Sequence, residues 1–250
     1  VLELVRKLET AGAAAGFRSE HFGESDGCPL LALTKRSEGP RPRIYLSAGI
    51  HGDEPASTLA VLRLLEGGLF DHRAEWFLCP LLNPAGLVRG TRENAAGIDL
   101  NRDYKNPVSE EVRAHVAWLG RQPVFDLALC VHEDWEATGF YLYELNPGNL
   151  PSLAEPMIAT VASVCPIDPS PLIDGREASG GILRPQVDPR LREKCPESIR
   201  LQAHGARLGY TLETPSAFPL EQRIAAHRAA VGVAVAKTLE SKIPHGPGPI

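Results

Sequence analysis

Ser47-Ala48-Gly49-Ile50-His51-Gly52-Asp53-Glu54-Pro55 follows an apolar run, Ile44 to Leu46. A helical pattern follows it, with Leu59, Leu62, Leu64 and Leu65 on one broad face. Strand, turn and helix in that order set His51 and Glu54 at the carboxyl end of a strand. In an open α/β sheet, ligands bind at that end. An imidazole and a carboxylate three residues apart can turn toward one point, and their nitrogen and oxygen donors suit zinc. HxxE alone is common by chance; its place between strand and helix is what gives it weight. A catalytic zinc takes three protein ligands, so a third is expected elsewhere in the chain.

On the amino-terminal side, Leu2 to Ala15 reads as a helix, with Leu4, Val5, Leu8 and Ala11 at helical spacing. Phe17 to Gly23 and Pro29 to Lys35 read as two strands around an Asp26-Gly27 turn. On the other side, Pro55 to Leu65 is helical and Trp76 to Leu82 is a strand. Asn83 to Tyr104 reads as a long irregular loop, a length that marks function or disorder. Ser109 to Leu119 is a helix with Glu110 and Glu111 in its first turn, where acids favour the helix dipole. Val124 to Val131 is an apolar strand ending at His132, and Phe140 to Leu145 is another. Pro156 to Val164 reads as a helix, and Pro166 to Pro196 as an excursion rich in Pro, Gly and Asp. Ser198 to Arg207 (helix), Leu208 to Glu213 (strand) and Leu220 to Leu239 (helix) close the domain. The fold class is therefore α/β, a mixed, mostly parallel twisted sheet with helices on both faces. One domain is expected over 1–243, with a flexible tail over 244–250.

The 250 residues fit one large α/β domain. A net charge of −5 gives no case for nucleic acid or an anionic membrane surface. No apolar run reaches the roughly 20 residues of a membrane span. Glu3, Arg6 and Lys7 interrupt the start, which lacks a signal-peptide core. The five cysteines form no CxxC pair, and Cys79 and Cys130 lie in apolar runs. They read as reduced, which favours the cytoplasm, with one bridge among Cys28, Cys165 and Cys195 left open. No GxGxxG follows a strand, which excludes a dinucleotide-binding domain.

Val131-His132-Glu133-Asp134-Trp135 supplies the third candidate ligand, His132, with acids beside it that can orient an imidazole. The pattern is neither HExxH, since residue 136 is Glu, nor HxxEH, since residue 55 is Pro. His51, His132 and Glu213 each fall at or just past a strand end. The six other histidines sit on expected helices, loops or the tail and read as non-ligands.

Further pieces occur in order: Asn83-Pro84-Ala85-Gly86, Thr91-Arg92-Glu93-Asn94, Asp99-Leu100-Asn101-Arg102-Asp103-Tyr104 and Thr211-Leu212-Glu213-Thr214-Pro215-Ser216. With Gly49 to Glu54 and His132, this set resembles the zinc carboxypeptidases (the metallocarboxypeptidase or funnelin family). It also resembles their neighbours, the succinylglutamate desuccinylases and aspartoacylases. Within that group it is most similar to small bacterial members of the murein peptide amidase type. The resemblance implies His51, Glu54 and His132 as ligands of one Zn2+ per chain, and Glu213 as the general base. It implies Arg92 as the oxyanion-stabilising cation, with Arg89 its rival. It implies Asn101 and Arg102 as the pair that binds a substrate carboxylate, a guanidinium fork matching that group. Residue 85 departs from the pattern, being Ala where the peptidases usually show Asp.

In this family the region before the base shapes the specificity pocket. Here it carries Arg176, Arg184, Arg190, Arg192 and Lys194, and Arg184 is expected to meet a second carboxylate on the substrate. The expected activity is hydrolysis of a peptide or amide bond beside a free carboxylate, on a small peptide or acyl-amino-acid substrate. One alternative is an N-acyl amino acid deacylase of the desuccinylase type, a branch that typically carries an additional C-terminal β domain. Another is a carboxylate-binding pseudoenzyme.

Overall fold

The computed structural model describes residues 1–186 and 194–241. Helix α1 (Leu2–Ala14) leads into the hairpin β1 (Arg18–Ser25) and β2 (Cys28–Lys35). Asp26 and Gly27 turn it with positive φ at both positions, the geometry that matches strand twist. Then follow β3 (Arg43–Ala48), α2 (Pro55–Glu66), β4 (Glu75–Cys79), α3 (Pro84–Arg89) and a 3-10 turn over Leu100–Arg102. Next come α4 (Glu110–Leu119), β5 (Leu127–Asp134), β6 (Tyr141–Leu145) and α5 (Ala154–Val161). Three short strands follow, β7 (Leu172–Ile173), β8 (Arg176–Glu177) and β9 (Ile182–Leu183). Last are α6 (Glu197–Ala203), β10 (Gly209–Pro215) and α7 (Leu220–Glu240).

Eight strands form one sheet in the order β1-β2-β4-β3-β5-β10-β6-β9. Its centre is parallel: β3 pairs with β4 and β5, and β5 with β10. The β1-β2, β2-β4 and β10-β6 pairs are antiparallel, so the sheet is mixed. Alternation along each strand divides the core in two. Ile44, Leu46, Leu127, Leu129 and Leu212 pack in one cluster with α1, α2, α5 and α7. Tyr45, Phe77, Cys79, Ala128 and Cys130 pack in another with α4 and α6. Helices thus cover both faces, as the α/β reading requires.

The structure departs from the sequence reading in three places. Asn83 to Tyr104 is not wholly irregular, because Asn83 caps a helix there: its Oδ1 accepts the Gly86 N–H at 2.8 Å. Strand β5 runs through His132 to Asp134, because β10 pairs with it as far as Pro215. The 166–196 excursion holds three short strands. Arg190, Arg192 and the expected 244–250 tail lie outside the described residues. All five cysteines are free and buried. Among the described residues, no helix is long and apolar enough to cross a membrane.

Candidate metal centre

The turn after β3 is built by close backbone approach. Gly49 adopts φ +63°, and a Cβ there would lie 2.5 Å from Thr58 Oγ1. A Cβ on Gly52 would lie 1.9 Å from the Gly86 carbonyl carbon, so only glycine lets this turn sit against α3. Glu54 is the N-cap residue of α2, with Pro55 at the first helical position. His51 and Glu54 are thereby fixed in one tight turn, both 3% exposed.

His132 reaches the same point from β5. Glu54 Oε1 lies 2.5 Å from His51 Nδ1, and Oε2 lies 3.0 Å from His132 Nδ1. The donor atoms of the three residues all lie within 4.8 Å of one another. Among the described residues this is the one such group of His, Cys, Asp or Glu. Burial opposes charge at Glu54, yet His51 and His132 hold its carboxyl down, at about 2. Two imidazoles and a carboxylate, buried and converging, fit the donor set of a catalytic zinc.

Asp99 completes the support of His51. Its Oδ1 lies 3.2 Å from His51 Nε2 and accepts the Asn101 N–H at 2.9 Å. Its Oδ2 accepts from Arg92 Nε at 3.0 Å. One carboxylate therefore ties together three residues implied for the site. Burial would raise the Asp99 carboxyl, but His51 and Arg92 hold it well below the usual range. The sequence reading quoted Asp99 without a role; its place two residues before Asn101 was the available signal.

Glu213 is in register with His132 on the neighbouring strand, so both side chains leave the same face of the sheet. Its carboxyl is pushed above the ordinary range, first by burial and then by Glu54 and Asp134, against the pull of His132. Arg92 extends Nη1 to 3.3 Å from His51 Nδ1 and 3.8 Å from Glu54 Oε1. Its rival Arg89 is elsewhere, paired with Asp26 at 2.9 Å.

These groups open onto a cleft of about 660 Å³ that Asn101, Arg102, Arg92 and Glu213 line. Arg102 is exposed and its Nη1 donates to the Asn101 carbonyl at 2.9 Å. Among the described residues it pairs with no carboxylate. The hairpin of β7 and β8 stands over the cleft and contributes Leu172, Ile173 and Arg176.

Two expectations need correction. Arg184 does not line the cleft: its Nε donates to Glu144 at 2.6 Å and its Nη2 to Glu155 at 2.6 Å. Glu144 is a buried carboxylate in an aromatic strand and takes up the cation that the sequence reading assigned to the substrate. Nor do the acids after His132 orient it. Alternation turns Glu133 to the opposite face, where it accepts the Ala56 N–H and pairs with Arg223 of α7. Asp134 accepts from Tyr141 Oη at 2.9 Å.

Comparison with known proteins shows which sequences and folds the chain resembles. Residues 40–121 match the model of the succinylglutamate desuccinylase/aspartoacylase catalytic domain. Murein peptide amidase A of Escherichia coli (strain K12) is 38% identical over 90 residues, 34% of this chain and 35% of that protein. Carboxypeptidase 2 of Trichophyton rubrum is 30% identical over 112 residues, 40% of this chain and 20% of that protein. The match thus spans about a third or less of these relatives' length. A candidate metallopeptidase from Shewanella amazonensis superposes with a TM-score of 0.82 at 27% identity, covering 94% of this chain and 92% of that one. A metallo-carboxypeptidase from Pseudomonas aeruginosa shares the fold, with a TM-score of 0.67 at 20% identity, over 94% of this chain and 68% of that one. Over part of its sequence the chain is similar to murein peptide amidase A and to the succinylglutamate desuccinylase/aspartoacylase catalytic-domain model, and over nearly all of its described length it has the fold of metallopeptidases and metallo-carboxypeptidases of known structure.

Proposed function

We propose that the protein is a zinc-dependent hydrolase that cleaves a peptide or amide bond beside a free carboxylate. The convergence of His51, Glu54 and His132 next to Glu213 carries this reading. Zinc held by those three side chains would supply Lewis acidity, polarising the scissile carbonyl and acidifying a water. Glu213 is the general base: its carboxylate accepts the water's proton and returns it to the nitrogen of the leaving amine. Arg92, braced by Asp99, aims a fixed cation at the negative charge that develops on the carbonyl oxygen. Arg102 and the Asn101 amide bind the substrate carboxylate, which sets the scissile bond against the base. Five free, buried thiols support a reducing compartment such as the cytoplasm.

The match to the succinylglutamate desuccinylase/aspartoacylase model also fits a second reading, an N-acyl amino acid deacylase with the same chemistry. A panel decides between them: peptides with a free C-terminus, murein peptides, and N-acyl amino acids, each compared with its carboxamide. Faster turnover of the peptides supports the carboxypeptidase reading, and faster turnover of N-acyl amino acids the deacylase. Equal rates on carboxylate and carboxamide forms would contradict both.

A further inference from the structure

Glu197, the first residue of α6, is a carboxylate only 1% exposed, and among the described residues it has no ion pair. A buried carboxylate without a counter-ion is costly unless hydrogen bonds satisfy it. Here Tyr45 Oη donates to Oε1 at 2.6 Å and Ser47 Oγ to Oε2 at 2.9 Å, both from β3. The Tyr45 hydroxyl, having given its proton away, accepts from His115 Nε2 at 3.0 Å. The bare Nδ1 of His115 then accepts from Tyr104 Oη at 2.7 Å. Burial keeps His115 neutral, its pKa pushed down to about 3, as this tautomer requires. Every donor in the chain Tyr104–His115–Tyr45 runs toward Glu197. Such a network fixes one geometry, because any rearrangement leaves a buried polar group unpaired.

That geometry ends at the cleft. The Glu197 backbone N–H donates to Asn101 Oδ1 at 2.9 Å. An amide with its oxygen so committed turns its NH2 the other way, and among the described residues Asn101 Nδ2 has no partner. Rotating the amide by half a turn would set NH2 against N–H and oxygen toward an incoming carboxylate, unfavourable at both ends.

We propose that Glu197 is a positioning residue for substrate binding: by pinning the first turn of α6 to β3, it holds Asn101 with its NH2 presented to the substrate carboxylate. The proposal rests on the reading of Asn101 and Arg102 given above.

The test uses the zinc-loaded protein and the variants Glu197→Ala, Glu197→Gln, Glu197→Leu and Asn101→Ala. Two quantities are read. One is the NMR signal of the Asn101 side-chain NH2, assigned by its loss in Asn101→Ala. The other is KM and kcat on a peptide with a free C-terminal carboxylate and on its carboxamide. Glu197→Ala should shift the Asn101 signal and raise KM for the free peptide about tenfold, the scale of one lost hydrogen bond, with kcat nearly unchanged. The preference for carboxylate over carboxamide should fall with it. Glu197→Gln should restore both readouts, since Gln still accepts from Tyr45 and can donate to Ser47. Should Glu197→Ala fail to fold, Glu197→Leu removes the same anchors while filling the space and carries the same expectation. An unmoved Asn101 signal in Glu197→Ala or in Glu197→Leu overturns the proposal. So does a raised KM in Asn101→Ala beside an unchanged one in Glu197→Ala. An unchanged KM in Asn101→Ala overturns the carboxylate reading and the proposal together.

Discussion

Asp99 and His51, 48 residues apart in sequence, meet at 3.2 Å, Asp99 Oδ1 on the ring nitrogen His51 turns away from Glu54. A carboxylate on the second nitrogen of a metal-ligating imidazole fixes the ring and raises its basicity. Asp99→Asn should therefore weaken zinc binding by roughly 10–100-fold, measured by competition with a chelator of known affinity. Unchanged affinity would remove Asp99 from the support of the centre.

Arg102 is exposed at the cleft and pairs with no carboxylate among the described residues. Arg102→Ala should raise KM for a substrate with a free carboxylate by about 10–100-fold and spare kcat, the signature of lost uniform binding. Lysine at the same position should recover only part of the loss, because it lacks the planar fork. Steady-state kinetics on both variants check this; an unchanged KM would place the carboxylate elsewhere.

Arg184 neutralises Glu144, a carboxylate that also accepts from Tyr210 Oη at 3.0 Å. Arg184→Ala should leave substrate preference unaltered and lower stability by about 1–2 kcal/mol, discounted because the guanidinium is half exposed. Urea denaturation measures the loss. A changed preference between acidic and neutral substrates would return Arg184 to the cleft.

Glu197 gives a pH signature. Burial lifts its carboxyl above the ordinary range, against the pull of Tyr45, Ser47, His132 and Cys130. As pH rises past the ordinary carboxylate value, the unfolded chain releases this proton while the folded protein keeps it. The folded state then binds more protons, so Glu197 contributes less stability as pH rises through its folded pKa. Glutamine cannot ionise, so the stability of Glu197→Gln relative to wild type should rise from about pH 4 to about pH 8. Thermal melts across that range check it, and a constant difference would contradict it.

Much of this architecture was readable because apolar periodicity marks it. Ile44 to Leu46 before a turn and Leu59 to Leu65 after it located β3 and α2 within a residue or so. Helix α3 escaped because its six residues are too few for periodicity, although Asn83-Pro84 is a cap followed by proline at the first helical position. The His51, Glu54 and His132 donors were legible from residue type and place. What joins them was not. Asp99 and Glu197 look like surface acids in one dimension, Glu133 reads as a partner of His132, and only the packed fold shows where each one turns. Arg184 misled for the mirror-image reason: its partner Glu144 hides in Tyr141-Leu142-Tyr143-Glu144-Leu145, where a charge in a buried strand was the signal that a cation must reach it.

Glu213 and the His51–Glu54–His132 cluster carry the central claim, and one comparison tests it most directly: zinc content and turnover of wild type and Glu213→Gln on the same best substrate. The account predicts one zinc per chain in both proteins, with kcat falling by about 10²–10⁴-fold in the variant, the range for a lost general base. No zinc in metal-replete wild type, or full activity in Glu213→Gln, would contradict it.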